Sequence, residues 1–234
     1  MIQVRRSNER GHANHGWLNS HHTFSFAGYH DPQFMGFGPL RVINEDRVTG
    51  GQGFGAHPHN NMEIISYVVD GALEHKDSMG TGSVMRAGDV QLMSAGTGVT
   101  HSEFNASKTD PVHFLQIWVI PAERNTAPRY QQKNFDKDAQ PNQWHVMVTP
   151  DEQEQGALHI LQDVQLLGAV IDEGTSLGYE ARPDRRLWLQ VVRGQVRLPD
   201  GTSLVAGDGA AMIDEATLEL HAVERAEVIL FDMM

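Results

Sequence analysis

Apolar positions along this chain fall into short runs separated by polar turns. Glu63 to Val69, Phe114 to Ile120, Leu187 to Val192 and Glu227 to Phe231 are rich in β-branched, aromatic and leucine side chains and are punctuated by glycines, a pattern that predicts strands. Helical periodicity is weak, and only Gln162 to Val170 offers a candidate short helix. From Pro121 to Pro150 the chain turns polar and proline-containing, as in Arg129 to Lys133 and Ala139 to Asn142. That shift predicts a connecting segment with a domain boundary inside it. The expectation is an all-β protein of two domains, 1–130 and 131–234, with few short helices.

The pattern also repeats. Ile64-Ile-Ser-Tyr-Val-Val-Asp-Gly71 aligns with Leu187-Trp-Leu-Gln-Val-Val-Arg-Gly194, and Arg86-Ala-Gly-Asp89 aligns in the same order with Val205-Ala-Gly-Asp208. Two related β units account for this order better than chance matches do. Extending the first alignment sets His57 and His59 against Glu180 and Arg182, and extending the second sets His101 against Leu220. The second unit is therefore expected to lack the histidines of the first.

Composition narrows the chemistry. A chain of 234 residues, 40% hydrophobic and 21% charged, has an ordinary globular make-up and room for two small cores. It has no cysteine, which excludes disulfides and thiolate metal sites and leaves histidine nitrogen and carboxylate oxygen as metal donors. A net charge of -12 opposes direct binding to nucleic acid. The acidity is uneven: residues 1–120 carry 8 Lys and Arg against 11 Asp and Glu, and residues 121–234 carry 10 against 19. Any acidic interaction face is thus expected in the second half, where Asp172-Glu173 and Glu224 to Glu227 read first as solvated polar segments. Met1 to Ser20 has no basic, apolar leader, and no apolar run approaches the ~20 residues that cross a bilayer. A cytoplasmic location without membrane association is the expectation. Ten of the 13 histidines lie between His12 and His113, which puts any chemistry in the first half.

The sharpest motif is Gly51-Gln-Gly-Phe-Gly-Ala-His57-Pro-His59. Residues two apart on a strand point to one face, so both imidazoles can reach a single ion. Ala95-Gly-Thr-Gly-Val-Thr-His101-Ser-Glu103 repeats the device, with His101 and Glu103 two apart after a glycine-rich turn. Glycines before each pair suit the tight turns and bulges that aim side chains inward. A lone histidine is more often a hydrogen-bonded core residue, but two matched pairs point to one divalent metal ion held by His57, His59, His101 and a carboxylate. Parity leaves Glu63 and Glu103 equally eligible as that carboxylate.

These segments sit among others with a family character: Asn8-Glu-Arg-Gly11, His15-Gly-Trp-Leu18, His22-Thr-Phe-Ser-Phe-Ala27, Met35-Gly-Phe37, Leu40-Arg-Val-Ile-Asn44, His75-Lys-Asp-Ser-Met-Gly80 and Ser94-Ala-Gly-Thr-Gly98. Through them the chain resembles the pirin family of the cupin superfamily, in its bacterial, quercetin 2,3-dioxygenase-like branch. The resemblance is specific over most of residues 1–130 and looser beyond. It implies a bicupin of two β-barrel, jelly-roll domains, with a metal in the N-terminal one alone. It also implies His57, His59, His101 and Glu103 as the ligands, preferring Glu103 to Glu63. Two departures from the general cupin pattern, Gly71 one residue late and Ser94 in a proline position, are themselves pirin-like.

Three nitrogens and one oxygen suit Fe(II), the first candidate, and also Ni(II), Cu(II), Mn(II), Co(II) or Zn(II). What the resemblance implies is a dioxygenase that opens the heterocyclic ring of quercetin or a related polyphenol with dioxygen, Glu103 taking the flavonol 3-hydroxyl proton. The alternative is a non-catalytic, metal-responsive regulator acting through protein partners. A zinc hydrolase or isomerase ranks third, since no nucleophile or carboxylate pair stands out. Phe24, Phe26, Phe37, Phe54, Phe104, Phe114 and Trp118 are expected in the core, with an aromatic pocket as the sharper reading. His12, His15, His21 and His22 read as surface or hydrogen-bonding residues, and His75 and His113 as candidates for orienting a ligand imidazole.

Overall fold

A computed structural model describes all residues, 1–234. In chain order the strands are β1 (Ile2–Arg5), β2 (Gly11–Asn14), β3 (Leu18–His22), β4 (Leu40–Val48), β5 (Gly53–His59), β6 (Glu63–Asp70), β7 (Ala72–Asp77), β8 (Gly82–Arg86), β9 (Asp89–Ser94), β10 (Val99–Asn105) and β11 (Val112–Val119). They continue with β12 (Arg129–Asn134), β13 (His145–Thr149), β14 (Leu158–His159), β15 (Val164–Ile171), β16 (Ser176–Glu180), β17 (Arg186–Arg193), β18 (Gln195–Arg197), β19 (Ser203–Val205), β20 (Gly209–Ile213), β21 (Thr217–Ala222) and β22 (Ala226–Met233). The one helical turn is a 3-10 segment, Ser7–Glu9. The chain is all-β, as its pattern predicts, and none of its helices is long and apolar enough to cross a membrane.

Two expected local features differ. Gln162 to Val170 is not helical, because Val164–Ile171 is a strand buried almost along its whole length. A continuous apolar run of that length satisfies a helix and a doubly covered strand equally well. The polar stretch Pro121 to Pro150 contains β12 and β13. β12 is a sheet-edge strand in register with β9, where half-exposed Tyr130, Gln131 and Gln132 need no apolar pattern.

The chain divides into two compact units, one of residues 11–135 with 158–162, the other of residues 1–10, 136–157 and 163–234. In the first, a seven-stranded sheet ordered β12-β9-β6-β11-β4-β3-β2 faces a four-stranded sheet ordered β5-β10-β7-β8. Between them lie Leu18, Val48, Val68, Leu73, Met85, Val112 and Phe114. In the second, the order β1-β20-β17-β22-β15-β13 faces β16-β21-β18-β19 across a core that includes Leu189, Val196, Leu204, Leu220 and Leu230. Each unit is a two-sheet jelly roll.

Strand for strand, the orders superimpose, so the sequence repeat reflects a duplicated fold. Gly71 and Gly194 close equivalent turns at φ 77° and 73°. A Cβ there would meet the Pro111 or Arg225 carbonyl oxygen at 2.7 or 2.2 Å, so only glycine serves. Gly88 and Gly207 share φ 86° and 88°, and Asp89 and Asp208 each accept the backbone N–H three residues earlier. The edge place held by β12 in the first unit is held by β1 in the second, where Ile2 pairs with Met212 and Val4 with Ala210.

Candidate metal centre and cavity

β10 shows why its residues suit a site. Val99, His101, Glu103 and Asn105 are buried while Thr100 and Phe104 are exposed, the alternation a pleat imposes on a strand with one wet face. His101 pairs directly with His57 of the neighbouring β5, and the register slips between His101 and Glu103. Such an irregularity re-aims side chains locally. The three rings of His57, His59 and His101 end up with centroids 4.4 to 4.9 Å apart, and one nitrogen from each lies within 4.8 Å of the others.

Two of the rings are already oriented. His57 Nδ1 lies 2.8 Å from the Gly55 carbonyl oxygen, which makes Nδ1 the protonated nitrogen and leaves the Nε2 lone pair for an ion. His101 Nε2 is buried and has no hydrogen-bond partner. An orphaned buried imidazole nitrogen is costly unless something binds it, and here it belongs to a three-imidazole cluster. Burial pushes His101 down to about 3 and His59 to about 4, with the neighbouring imidazoles adding to the effect. Both rings are therefore neutral donors at ordinary pH, the form that ligates metal.

Glu103 falls in a second, overlapping group with His75 and His101, again with donor atoms within 4.8 Å of one another. Its Oε1 accepts from Ser66 Oγ at 3.1 Å and its Oε2 from Gln116 Nε2 at 2.6 Å. Burial raises its carboxyl to about 7, with nearby Asp46 adding to the rise against the Ser66 and Gln116 hydrogen bonds. Glu63, the competing carboxylate, accepts from Ser94 Oγ at 2.8 Å and joins neither group. His113 pairs with Glu45, away from the cluster, and His75 packs against His101 at a centroid distance of 5.2 Å.

A cavity of about 690 Å³ opens beside the imidazoles, lined by His57, His59, Glu103, Gln116 and a largely aromatic wall of Phe26, Tyr29, Phe54 and Trp118. Its size falls in the range of small-molecule sites. Trp118 meets His59 edge-on at 5.0 Å. Among the aromatics, Phe24 and Phe114 are core and Phe104 is exposed. Three residues read as surface or hydrogen-bonding histidines, His12, His15 and His22, also line this space, with His12 stacked on His21 at 4.6 Å. Sequence reasoning passed over Ser20, Asn44, Asp46 and Gln116 in the wall, and Ser66 behind Glu103.

The pirin family profile matches residues 3–119, and that of the quercetinase C-terminal cupin domain matches residues 146–233. The chain belongs to the pirin family. A quercetin 2,3-dioxygenase of Escherichia coli is 48% identical over 233 residues, covering 100% of this chain and 99% of that protein. A pirin-like protein of Caulobacter vibrioides is 39% identical over 232 residues, with 99% of each covered. Among solved structures, the bacterial pirin YhhW of Escherichia coli in complex with nickel(II) matches with TM-score 0.94 and 45% identity, covering 100% of this chain and 99% of that one.

The jelly roll is thus present twice here, with the imidazole cluster in one copy. Glu74 pairs with Phe104 as Arg197 pairs with His221, so Glu103 corresponds to Leu220 and His101 to Leu218. That moves the sequence alignment, which set His101 against Leu220, by two residues, because the loop before β21 is shorter than the one before β10. The consequence is the same: Leu218 and Leu220 are buried core, and the second unit has no imidazoles there.

Proposed function

We propose that this protein is a metal-dependent dioxygenase that opens the heterocyclic ring of quercetin or a related flavonol, with one divalent metal held by His57, His59, His101 and Glu103. The observation that carries the reading is the three-imidazole cluster, with its orphaned buried His101 Nε2, at the wall of an aromatic cavity large enough for a planar polyphenol. Names borne by relatives support it, a quercetin 2,3-dioxygenase at 48% identity above all. Fe(II) is the first candidate for the metal. Ni(II) follows, given the nickel(II) complex of the bacterial pirin.

When bound, the metal supplies Lewis acidity toward an enolate oxygen and a meeting point for that substrate and dioxygen. The chain's own residues do the rest. Glu103, gripped by Ser66 and Gln116 at the cavity wall, is placed to take the proton of the flavonol 3-hydroxyl. Phe26, Phe54 and Trp118 offer flat apolar surface to the rings and exclude water. A metal-responsive regulator acting through protein partners is the second reading, and it gives no role to this cavity.

The test is aerobic turnover of quercetin, followed by loss of its absorbance and by oxygen uptake, on protein reconstituted with each of Fe(II), Ni(II), Cu(II), Mn(II), Co(II) and Zn(II). Metal-dependent turnover abolished by His57→Ala is the expected outcome. No turnover with any fully loaded metal would remove the dioxygenase assignment, and no stoichiometric metal binding would remove the site itself.

A further inference from the structure

The duplicated fold supplies an internal control for which interior polar groups the architecture needs. In the first unit, Gln116 of β11 pairs with Ser66 on one side and Asn44 on the other, and Phe114 pairs with Val68 and Asp46. In the second, Leu230 of β22 pairs with Leu189 and Leu167, and Val228 with Val191 and Ala169. Ser66, Gln116, Asn44 and Asp46 therefore occupy positions that the other copy fills with Leu189, Leu230, Leu167 and Ala169, all in its apolar core. The jelly roll does not require polarity at these four places.

Ser66 and Gln116 are accounted for by Glu103, whose oxygens they hold. Asn44 and Asp46 are not. They stand two apart on β4, on the face that lines the cavity, and are 3% and 4% exposed. Ser20 satisfies one side of the Asp46 carboxyl, but Asp46 Oδ1 and Asn44 Oδ1 have no hydrogen-bond partner. Two buried acceptors facing one cavity, at positions where the same fold elsewhere uses alanine and leucine, call for hydrogen donors on a ligand.

We propose that Asp46 and Asn44 are specificity-determining residues that accept hydrogen bonds from phenolic hydroxyls of the substrate other than the one met at the metal. This deepens the dioxygenase reading and rests on it. It selects polyhydroxylated over bare flavonols, because a hydroxyl-free ring leaves both acceptors buried and unpaired.

The second unit names the substitutions to use, Asp46→Ala and Asn44→Leu, since both residues already fit this architecture. Equilibrium binding to metal-loaded protein under anaerobic conditions would be measured for quercetin and for the parent flavonol that carries only the 3-hydroxyl, with thermal unfolding in parallel. In either variant the quercetin Kd is expected to rise roughly tenfold to hundredfold, and the parent flavonol Kd by no more than about threefold. The midpoint of ligand-free unfolding should hold or rise, the opposite of what a purely structural polar network would give. Equal weakening for both flavonols, no weakening, or a lowered midpoint overturns the proposal while leaving the dioxygenase reading standing. Wild-type protein that binds neither flavonol overturns both.

Discussion

The Nδ1 atoms of His75 and His101 lie 3.4 Å apart in the interior of the first unit. Two nitrogens that face each other attract only if one carries a proton and the other does not. The outer end of His75 decides which: its Nε2 lies 2.9 Å from Asp77 Oδ2, so Nε2 is protonated and Nδ1 is the bare acceptor. His101 then donates from Nδ1 and keeps its Nε2 lone pair free for a metal. Burial holds the His75 imidazole below its ordinary range, against the pull of Asp77. Burial also pushes the Asp77 carboxyl up, but hydrogen bonds from His75, Thr81 and Met79 outweigh it and hold it below the usual carboxylate range.

Asp77→Asn should therefore weaken metal binding by roughly tenfold to a hundredfold, the usual cost of losing a partner that orients a ligand imidazole. Asparagine keeps the Oδ1 acceptor for the Met79 and Thr81 N–H groups, so the turn should survive. Competition against a chromogenic chelator gives the affinity, and circular dichroism checks the fold. An affinity equal to wild type would remove this relay from the account.

Glu103→Gln separates holding the metal from moving a proton. Glutamine retains one ligating oxygen and cannot accept the substrate proton. Metal content should persist at reduced affinity while quercetin turnover falls by about 10²- to 10⁴-fold, the span typical for a general base. Turnover near wild type on fully loaded protein would assign Glu103 to the ligand set alone.

The sequence made the β architecture readable because glycine turns and apolar runs survive without tertiary context, and the HxH and HxE spacings read directly as one strand face each. Strand parity left Glu63 and Glu103 equally eligible, and the family resemblance alone favoured Glu103. What separates them is a through-space fact, that β10 runs beside β5 while Glu63 begins β6 and bonds Ser94. Asn44 and Asp46 were hidden for another reason. Within Leu40 to Val48 they look like ordinary polar punctuation, and only the strand register against Leu167 and Ala169 makes them anomalous. β15 went unrecognised because a strand buried on both faces has no period of two to detect.

In the second unit, Arg185 is buried and donates through Nε to Asp232 Oδ1 and through Nη1 to Asp163 at 2.7 Å, while the Tyr179 hydroxyl donates to Asp232 Oδ2. Asp232→Ala would leave a buried guanidinium with no carboxylate but half-exposed Asp163, its Nη2 still donating to the main-chain carbonyl of residue 232. The expected loss is about 3 kcal/mol, or a midpoint lower by roughly 6–12 °C for a chain of this size. Metal affinity should not change, because none of these residues belongs to the histidine cluster. A loss of metal binding in the folded variant would contradict that independence.

Asp46 also gives a pH signature in the metal-free protein. Burial raises its carboxyl to about 7, with Glu45 adding to the rise and the Ser20 hydrogen bond opposing it, whereas an aspartate in the unfolded chain titrates near ~3.9. Between those values the folded state keeps a proton that the unfolded state releases. Its contribution to stability is therefore full below about pH 4 and declines as pH rises to about 7. Asn does not titrate, so the stability of Asp46→Asn relative to wild type should grow by about 2–4 kcal/mol across that window and level off on either side. His59 and His101, depressed to about 4 and about 3, act with the opposite sign: their contribution is present above the unfolded imidazole range and lost as pH falls. They are common to both proteins and drop out of the difference. Urea unfolding of the metal-free pair at a series of pH values measures it, and a constant difference would mean that the Asp46 carboxyl titrates in the fold much as it does in the unfolded chain.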